Sequence, residues 1–435
     1  MLLLQTTYYK GFMLQLQFIR ENKELVIERL AVKNMNATEA INEVISLDEK
    51  RRKTQNELDA VLNQSNLLAK QIGDLFKSGN AAEANELKTN SAGLKEKSKT
   101  LGDALIVFEN QINDVLVRLP NLPHRSVPKG KTPEENEILH QEGVIPKLHE
   151  KAKPHWELII QYDIIDFELG TKIAGAGFPV YKGKGARLQR GLINFFLDQA
   201  TAGGYMEVQP PIVVNEASGF GTGQLPDKEG QMYHVGIDNL YLIPTAEVPV
   251  TNMYRDVVIK AEEFPIKLTA YTPCFRREAG SYGKDVRGLN RLHQFDKVEV
   301  VQLQHPDKSY ETLEEMKDYV AGLLRLLNLP FRILRLCGGD MSFTSALTYD
   351  FEVYSAAQQK WLEVSSVSNF ENYQANRLKF RFKEGDKKPQ LGHTLNGSAL
   401  ALPRIVAALL ENNQTEKGIL IPEVLTSYTG FSLID

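Results

Sequence analysis

The sequence predicts an α+β protein: an N-terminal antiparallel α-helical coiled-coil hairpin, then an antiparallel β-sheet domain flanked by helices. Three observations carry this reading. Residues 40–118 contain no proline and little aromatic content, and their apolar seam steps by three and four. Downstream, strand-like alternation is mixed with helical periods but lacks regular βαβ spacing, which favours an antiparallel sheet. A chain of 435 residues also exceeds one ordinary domain.

Taken in order, residues 1–12 read as an N-terminal extension. Their MLLL run is too short for a signal-peptide core, and Met13 is a candidate biological start because helical periodicity begins only after it. Residues 20–33 form a short amphipathic helix expected at the base of the hairpin. The first arm, about 40–77, has the seam Val44, Leu47, Arg51, Thr54, Leu58, Val61, Ser65, Leu68, Ile72 and Leu75. The second, about 81–118, has Ala84, Leu87, Ser91, Leu94, Ser98, Leu101, Leu105, Phe108, Ile112 and Val115. Lys77-Ser78-Gly79-Asn80 is a turn too short for anything but antiparallel neighbours. Each arm is about 57 Å long at about 1.5 Å per residue. A globule made of the remaining chain has a radius of gyration of roughly 19 Å, so the hairpin is expected to project.

Polar seam residues suit an arm better than a tight dimerisation zipper. Residues 39–118 carry 11 basic and 13 acidic side chains, so charge alone predicts no electrostatic clamp on nucleic acid. Leu119-Pro120-Asn121-Leu122-Pro123 stops the second arm, and 119–154 reads as a linker rich in Pro, Lys and Glu. The second domain, 155–435, has a helix at 186–202 and strands near 207–214, 240–243, 267–276, 292–303, 349–354 and 361–366. Its last helix starts near 402.

Composition narrows the function. No apolar run approaches the eighteen or so residues of a membrane span. Two cysteines, Cys274 and Cys337, supply neither a disulfide framework nor a structural zinc site, and the eight histidines show no paired metal-ligand spacing. A soluble, reduced, cytoplasmic protein is expected. The net charge of −4 gives no global push toward nucleic acid. Gly177 to Gly183 has one residue too many for a P-loop, and Gly185 stands where Ser or Thr belongs. Gly175 and Gly177 lack the third glycine of a dinucleotide fingerprint. Gly219-Phe220-Gly221-Thr222-Gly223 reads as a mobile loop near a site. If ATP binds here, it uses neither of these glycine loops.

The richest segment is FRREAGSYGKDVRGLNRLHQFDKVE, Phe275 to Glu299. Arg276 and Glu278 share a face if extended, a glycine-rich basic run crosses Gly280 to Gly288, and a second alternating strand carries Phe295 and Glu299. Cation, acid, ring and second acid over one sheet surface suit a nucleoside triphosphate beside a small polar substrate.

FRREAG and HQFDKVE, together with TAEVP (245–249), EVSSVSNF (363–370) and HTLNGSALALPRIVAALLEN (393–412), closely resemble bacterial-type seryl-tRNA synthetase. The motifs come in that family's order from about Met13 to the end. The resemblance implies a class II aminoacyl-tRNA synthetase, a homodimer with a six- or seven-stranded antiparallel catalytic sheet. It implies ATP with Mg²⁺, L-serine and tRNA(Ser), possibly tRNA(Sec), as substrates and partners, with residues 13–118 as the tRNA-binding domain. Serine is first activated to seryl-adenylate, then passed to the terminal ribose of tRNA.

By the same resemblance Arg276 and Arg404 are catalytic. ATP is held by Arg276, Arg277, Glu278, Phe295, Glu363, Val364, Ser365, Ser366 and Arg404. Glu363 and Ser366 take Mg²⁺. Serine is held by Thr245, Ala246, Glu247, Arg276, Glu299, Asn396 and Ser398. The helix at 186–202 and the strand ending at Pro210-Pro211 form the dimer interface. Relatives often carry Gly where this chain has Pro403. An amino-acid-activating enzyme that loads a non-tRNA carrier is the alternative, although it has no need of the long arm. A non-catalytic scaffold leaves Arg276, Glu278, Glu299, Glu363 and Arg404 unexplained.

Overall fold

The computed structural model describes residues 16–227, 229–279 and 287–435, without the side chain of Asn90. The extension 1–12, Met13 and most of the 280–288 run lie outside them. The chain divides into two compact units, one of 16–31 and 35–120, the other of 32–34 and 121–435.

In the first unit, helices α1 (Leu16–Glu21) and α2 (Lys23–Val32) precede α3 (Thr38–Lys77) and α4 (Ala81–Leu116), which pack along each other. Every residue of the two expected seams is buried or half-buried, because a step of three and four keeps one stripe facing the partner helix. Gly79 adopts φ +83 in the turn, a conformation that suits glycine. At the base, Asp48 is fully buried on α3 and is held by Arg51 at 2.8 Å and by Arg20 of α1. This buried charge fixes α1 on α3 and has no counterpart in the apolar seam.

The second unit is built on an eight-stranded sheet. Its strands are β1 (Glu137–Glu142), β2 (Met206–Glu207), β3 (Ile266–Phe275), β4 (Gln294–Gln304), β5 (Phe331–Arg335), β6 (Leu347–Ser355), β7 (Lys360–Glu371) and β8 (His393–Ala401). Their order is β1-β5-β6-β7-β8-β4-β3-β2, antiparallel except for β2 on β3. Helices α5 (Gly183–Ala202), α6 (Ser309–Leu326) and α7 (Leu402–Asn412) share one core with the inner strand residues Val298, Val300, Phe331, Phe351, Val367 and Leu395.

Strands β5 and β8 were not among the expected strands, and three further features depart from the sequence reading. The sheet has eight strands where six or seven were expected, because short strands are added at both edges. One of them, β1, lies inside the stretch read as linker. Its residues are mostly exposed, so it shows no apolar alternation, and ion pairs Arg335–Glu137 and Arg325–Glu142 help hold it to its neighbours. Gly219–Gly223 is not a loop but the end of a helix, Glu216–Thr222. Asn215 caps its start by accepting from Ser218 N, and Gly223 at φ +86 ends it.

The buried Asp48 yields a prediction for the first unit. Arg51→Met, leaving one partner, lowers unfolding free energy by roughly 1–3 kcal/mol. Adding Arg20→Met strands the carboxylate and brings the loss to roughly 3–5 kcal/mol. Denaturant unfolding followed by helical ellipticity checks both, and equal stabilities would show that Asp48 is not a fixed charge.

Candidate active site

The sheet face away from the shared core is polar. Antiparallel partners point the same way, so the pairing Glu299↔Ser398, Val301↔Asn396, Ser368↔Asn396 and Asp350↔Ser366 aligns these side chains across four strands. Lys297 and Phe295 follow at two-residue steps from Glu299 along β4.

At one end lies a closed polar cluster. Lys297 Nζ is 2.5 Å from Glu299 Oε2 and donates to Thr245 Oγ1 at 2.9 Å. Thr245 Oγ1 donates to the same Glu299 oxygen at 3.1 Å and accepts from Glu247 N at 3.2 Å. Glu247, at the start of the helix Glu247–Asn252, accepts from Gln374 Nε2 at 2.6 Å, and Asn396 also bonds it. Gln374 is itself fixed by Thr394, whose hydroxyl donates to its Oε1 at 2.7 Å. Burial, then the nearby Glu299 charge, push the Glu247 carboxyl up to about 7. The contacts from Lys297 and Thr245 both fall on Oε2 of Glu299.

Beside this cluster, Arg276 lies past the end of β3. Its Nε reaches Pro244 O at 3.4 Å, and its guanidinium sits 5.2 Å from the centre of the Phe295 ring. Glu278 adopts φ +50 and is 2.8 Å from Arg291. The expectation of an extended Arg276–Glu278 face is thereby corrected: Arg276 N still bonds His293 O in register with the sheet, but the positive φ of Glu278 ends the extended path there.

A third group sits on β6, β7 and α7. Glu363 and Ser366 are three apart, which in a regular strand would place them on opposite faces. The β6–β7 register skips Val364, pairing Glu352 with Glu363 but Phe351 with Ser365. This bulge returns both side chains to one face, 3.5 Å apart. Of the eleven residues of α7 only Arg404 is not buried. It bonds Glu363 O at 2.6 Å and lies 3.5 Å from Oε2. Pro403 sits at the helix start, where its missing N–H costs nothing.

Glu363 and Ser366 line a 540 Å³ cleft with Asp350, Glu352 and Arg332. Asp350 Oδ1 is buried there without a hydrogen-bond partner. Two carboxylates and a hydroxyl form an all-oxygen donor set that fits a hard divalent cation, provided phosphate and water complete it. Among the described residues no three His, Cys, Asp or Glu side chains form a metal site by themselves.

Not every expected residue presents its side chain here. Val364 belongs to the core, and Ser365 donates to Ser398 O at 2.6 Å, so both can reach a ligand only through the backbone. Ala246 packs in a separate apolar cluster with Leu268 and Phe380. Arg277 is exposed, with its backbone N–H on Gln231 O at 2.8 Å. Lys297, Gln374, Asp350 and Arg291 were missed. Only Lys297 left a signal, standing two residues before Glu299 on the same strand face.

The family described as seryl-tRNA synthetase N-terminal domain matches residues 13–123. The family described as tRNA synthetase class II core domain (G, H, P, S and T) matches 233–413. A serine–tRNA ligase of Salinibacter ruber is 49% identical over 424 residues, covering 97% of this chain and 99% of the relative. Its counterpart in Chlorobium phaeovibrioides is 46% identical over 428 residues, with 97% and 99% covered. Among solved structures, seryl-tRNA synthetase of Pyrococcus horikoshii complexed with ATP superposes with TM-score 0.90 at 33% identity, covering 97% of this chain and 99% of that one. The cytoplasmic serine–tRNA ligase of Naegleria fowleri in complex with AMP gives 0.86 at 26% identity, with 98% and 99% covered.

The raised Glu247 carboxyl predicts a pH dependence of stability. Its folded value of about 7 lies above its ordinary 4.5, so its contribution is whole below about pH 4.5 and is lost as pH rises through 7. Glu247→Gln should leave stability unchanged near pH 4 and raise it by up to about 3 kcal/mol at pH 8. Unfolding curves at both pH values, without ligands, test this. A constant difference would refute it.

Proposed function

The chain belongs to the seryl-tRNA synthetase family and is a class II serine–tRNA ligase, and from that premise we propose how its residues divide the work. The observation that carries the proposal is the polar sheet face. It sets a charged, closed pocket (Thr245, Glu247, Lys297, Glu299, Asn396, Ser398) beside an arginine over an aromatic ring (Arg276, Phe295).

In the first step a serine carboxylate oxygen attacks the α-phosphorus of ATP, and the bond to pyrophosphate breaks. Arg276 neutralises the charge that gathers at the α-phosphate and the attacking carboxylate, since such transfers depend on positioning and electrostatics. Phe295 stacks under adenine, and Glu278 accepts from its amino group. Arg404 holds the γ-phosphate from the α7 side. Backbone groups of Val364 and Ser365, with Arg277 at the rim, complete the nucleotide contacts. Glu363 and Ser366, with Asp350 beside them, would hold Mg²⁺, which would supply charge screening for the phosphates of ATP. In the second step the terminal ribose hydroxyl of tRNA attacks the mixed anhydride and AMP leaves.

Glu247 pairs the serine ammonium, and Glu299 Oε1 accepts the serine hydroxyl. Lys297 and Thr245 keep Glu299 aimed by occupying Oε2. Alanine loses one charge-assisted hydrogen bond there and does not leave the carboxylate wholly unpaired, so its rejection rests on that bond and on Ser398 closing the pocket. Threonine is excluded by bulk.

The arm formed by α3 and α4 contacts tRNA(Ser), and tRNA(Sec) where present, by shape and a few placed cations. The domains divide at about 118 and 155. Helix α5 with the strand ending at Pro210-Pro211 forms the interface of a homodimer, and the protein works in the cytoplasm. Two buried free cysteines are in keeping with a reducing compartment. Among the described residues no helix is long and apolar enough to cross a membrane.

Serine-dependent exchange of pyrophosphate into ATP should be present and should disappear in Arg276→Ala. Equal exchange with another amino acid would overturn the serine assignment. Deleting residues 40–117 should spare that exchange and abolish tRNA charging, and charging by the deleted protein would remove the arm from recognition.

A further inference from the structure

A buried histidine–carboxylate pair far from the polar sheet face has no part in the steps above. His155 and Glu411 are both fully buried, with Nδ1 of His155 2.6 Å from Glu411 Oε1. The same oxygen accepts from His155 N and from Gln358 Nε2, each at 2.8 Å, while Ser355 donates to Oε2. Burial pushes the Glu411 carboxyl up, but bonds from His155 and Ser355 outweigh it and hold it below its ordinary value.

The other ring nitrogen gives the pair its interest. The backbone N–H of Leu289 donates to His155 Nε2 at 2.8 Å. An amide can only donate, so Nε2 is unprotonated and Nδ1 carries the proton that faces Glu411. The carboxylate thus fixes the one tautomer able to receive Leu289. From Leu289 the chain runs directly into the ATP surface: Arg291 pairs with Glu278 at 2.8 Å, His293 O accepts from Arg276 N at 3.0 Å, and Phe295 lies under Arg276. Glu411 stands in the last turn of α7, the helix whose first turn carries Arg404. Gly288 sits against the ring at φ +59, where an added Cβ would come within 2.3 Å of Nε2.

We propose that His155 is a positioning residue for ATP: held by Glu411, it sets the register of residues 288–295 and so seats Glu278 and Phe295 relative to the helix that bears Arg404. This rests on the reading of Arg276, Glu278 and Phe295 as the ATP surface.

The test measures pyrophosphate exchange with ATP and serine varied separately, together with thermal unfolding. His155→Ala should raise the KM for ATP on the order of ten- to a hundredfold and leave the KM for serine within about twofold. His155→Gln, whose amide oxygen stands near the Nε2 position, should recover most of that loss. Gly288→Ala reaches the same contact from the surface side without opening the core, and should reproduce the ATP effect if His155→Ala fails to fold. Ser355→Ala removes a bond to Glu411 on the side away from Leu289, and should lower the melting temperature without changing the KM for ATP. The proposal falls if the His155 and Gly288 variants leave the KM for ATP unchanged or shift both substrates together, or if Ser355→Ala matches them. A normal His155→Ala beside an inactive Arg276→Ala would overturn this role alone. An active Arg276→Ala would overturn the ATP surface itself.

Discussion

The register of β4 against β8 is the constraint on which the rest depends. With Glu299 opposite Ser398, the charged and hydroxyl side chains of four strands face one way and the inner apolar ones face α5, α6 and α7. Side chains alternate with period two, so a slip of one residue would drive Glu299 and Lys297 into the helical core and expose Val298 and Val300. Two buried charges placed among leucines would cost far more than a domain's net stability allows. The hydrophobic effect thereby specifies the reactive surface indirectly, by fixing what must lie on its reverse.

Departures from regular alternation then adjust single side chains. The bulge at Val364 brings Glu363 and Ser366 to one face. Arg276 needs no such break: two residues beyond Cys274, which pairs with Phe295, and still bonded to His293 O, it lies on the Phe295 face by ordinary alternation. Arg404 reaches the same face from behind because it is the one side chain α7 does not bury.

That division explains what was legible in the sequence. The arm was readable in full because a heptad seam is a local signal, and every expected seam residue is buried or half-buried. Strands β3, β4, β6 and β7 were readable from local alternation, whereas β5 and β8 were not among the expected strands, and the motifs marked Arg276, Glu299 and Arg404 as candidates. Strand β1 was not, because its exposed residues carry no burial pattern and its pairing depends on partners some two hundred residues away. The helix Glu216–Thr222 was hidden by its glycines, although Asn215 was a sound N-cap signal. Gln374 and Asp350 were missed for a deeper reason: a lone polar residue declares a role only when the fold supplies its neighbour, here Glu247 and Ser366.

The pocket cluster carries the argument one step further. Glu247 and Glu299 are both buried, yet among the described residues one ammonium, Lys297, accompanies them, and it lies against Glu299. The two acids are therefore unequal by construction. Glu299 has the Lys297 ammonium against it, whereas the side-chain donors to Glu247 are amides, and burial with the Glu299 charge pushes its carboxyl up to about 7. A ligand that brings its own ammonium restores the missing countercharge, so the electrostatic cost held at Glu247 in the free protein is relieved on binding. Neutral or anionic molecules of the same size gain nothing from that relief. On the proposed assignment, recognition of an amino group begins with a charge deficit in the pocket, before any hydroxyl reaches Glu299.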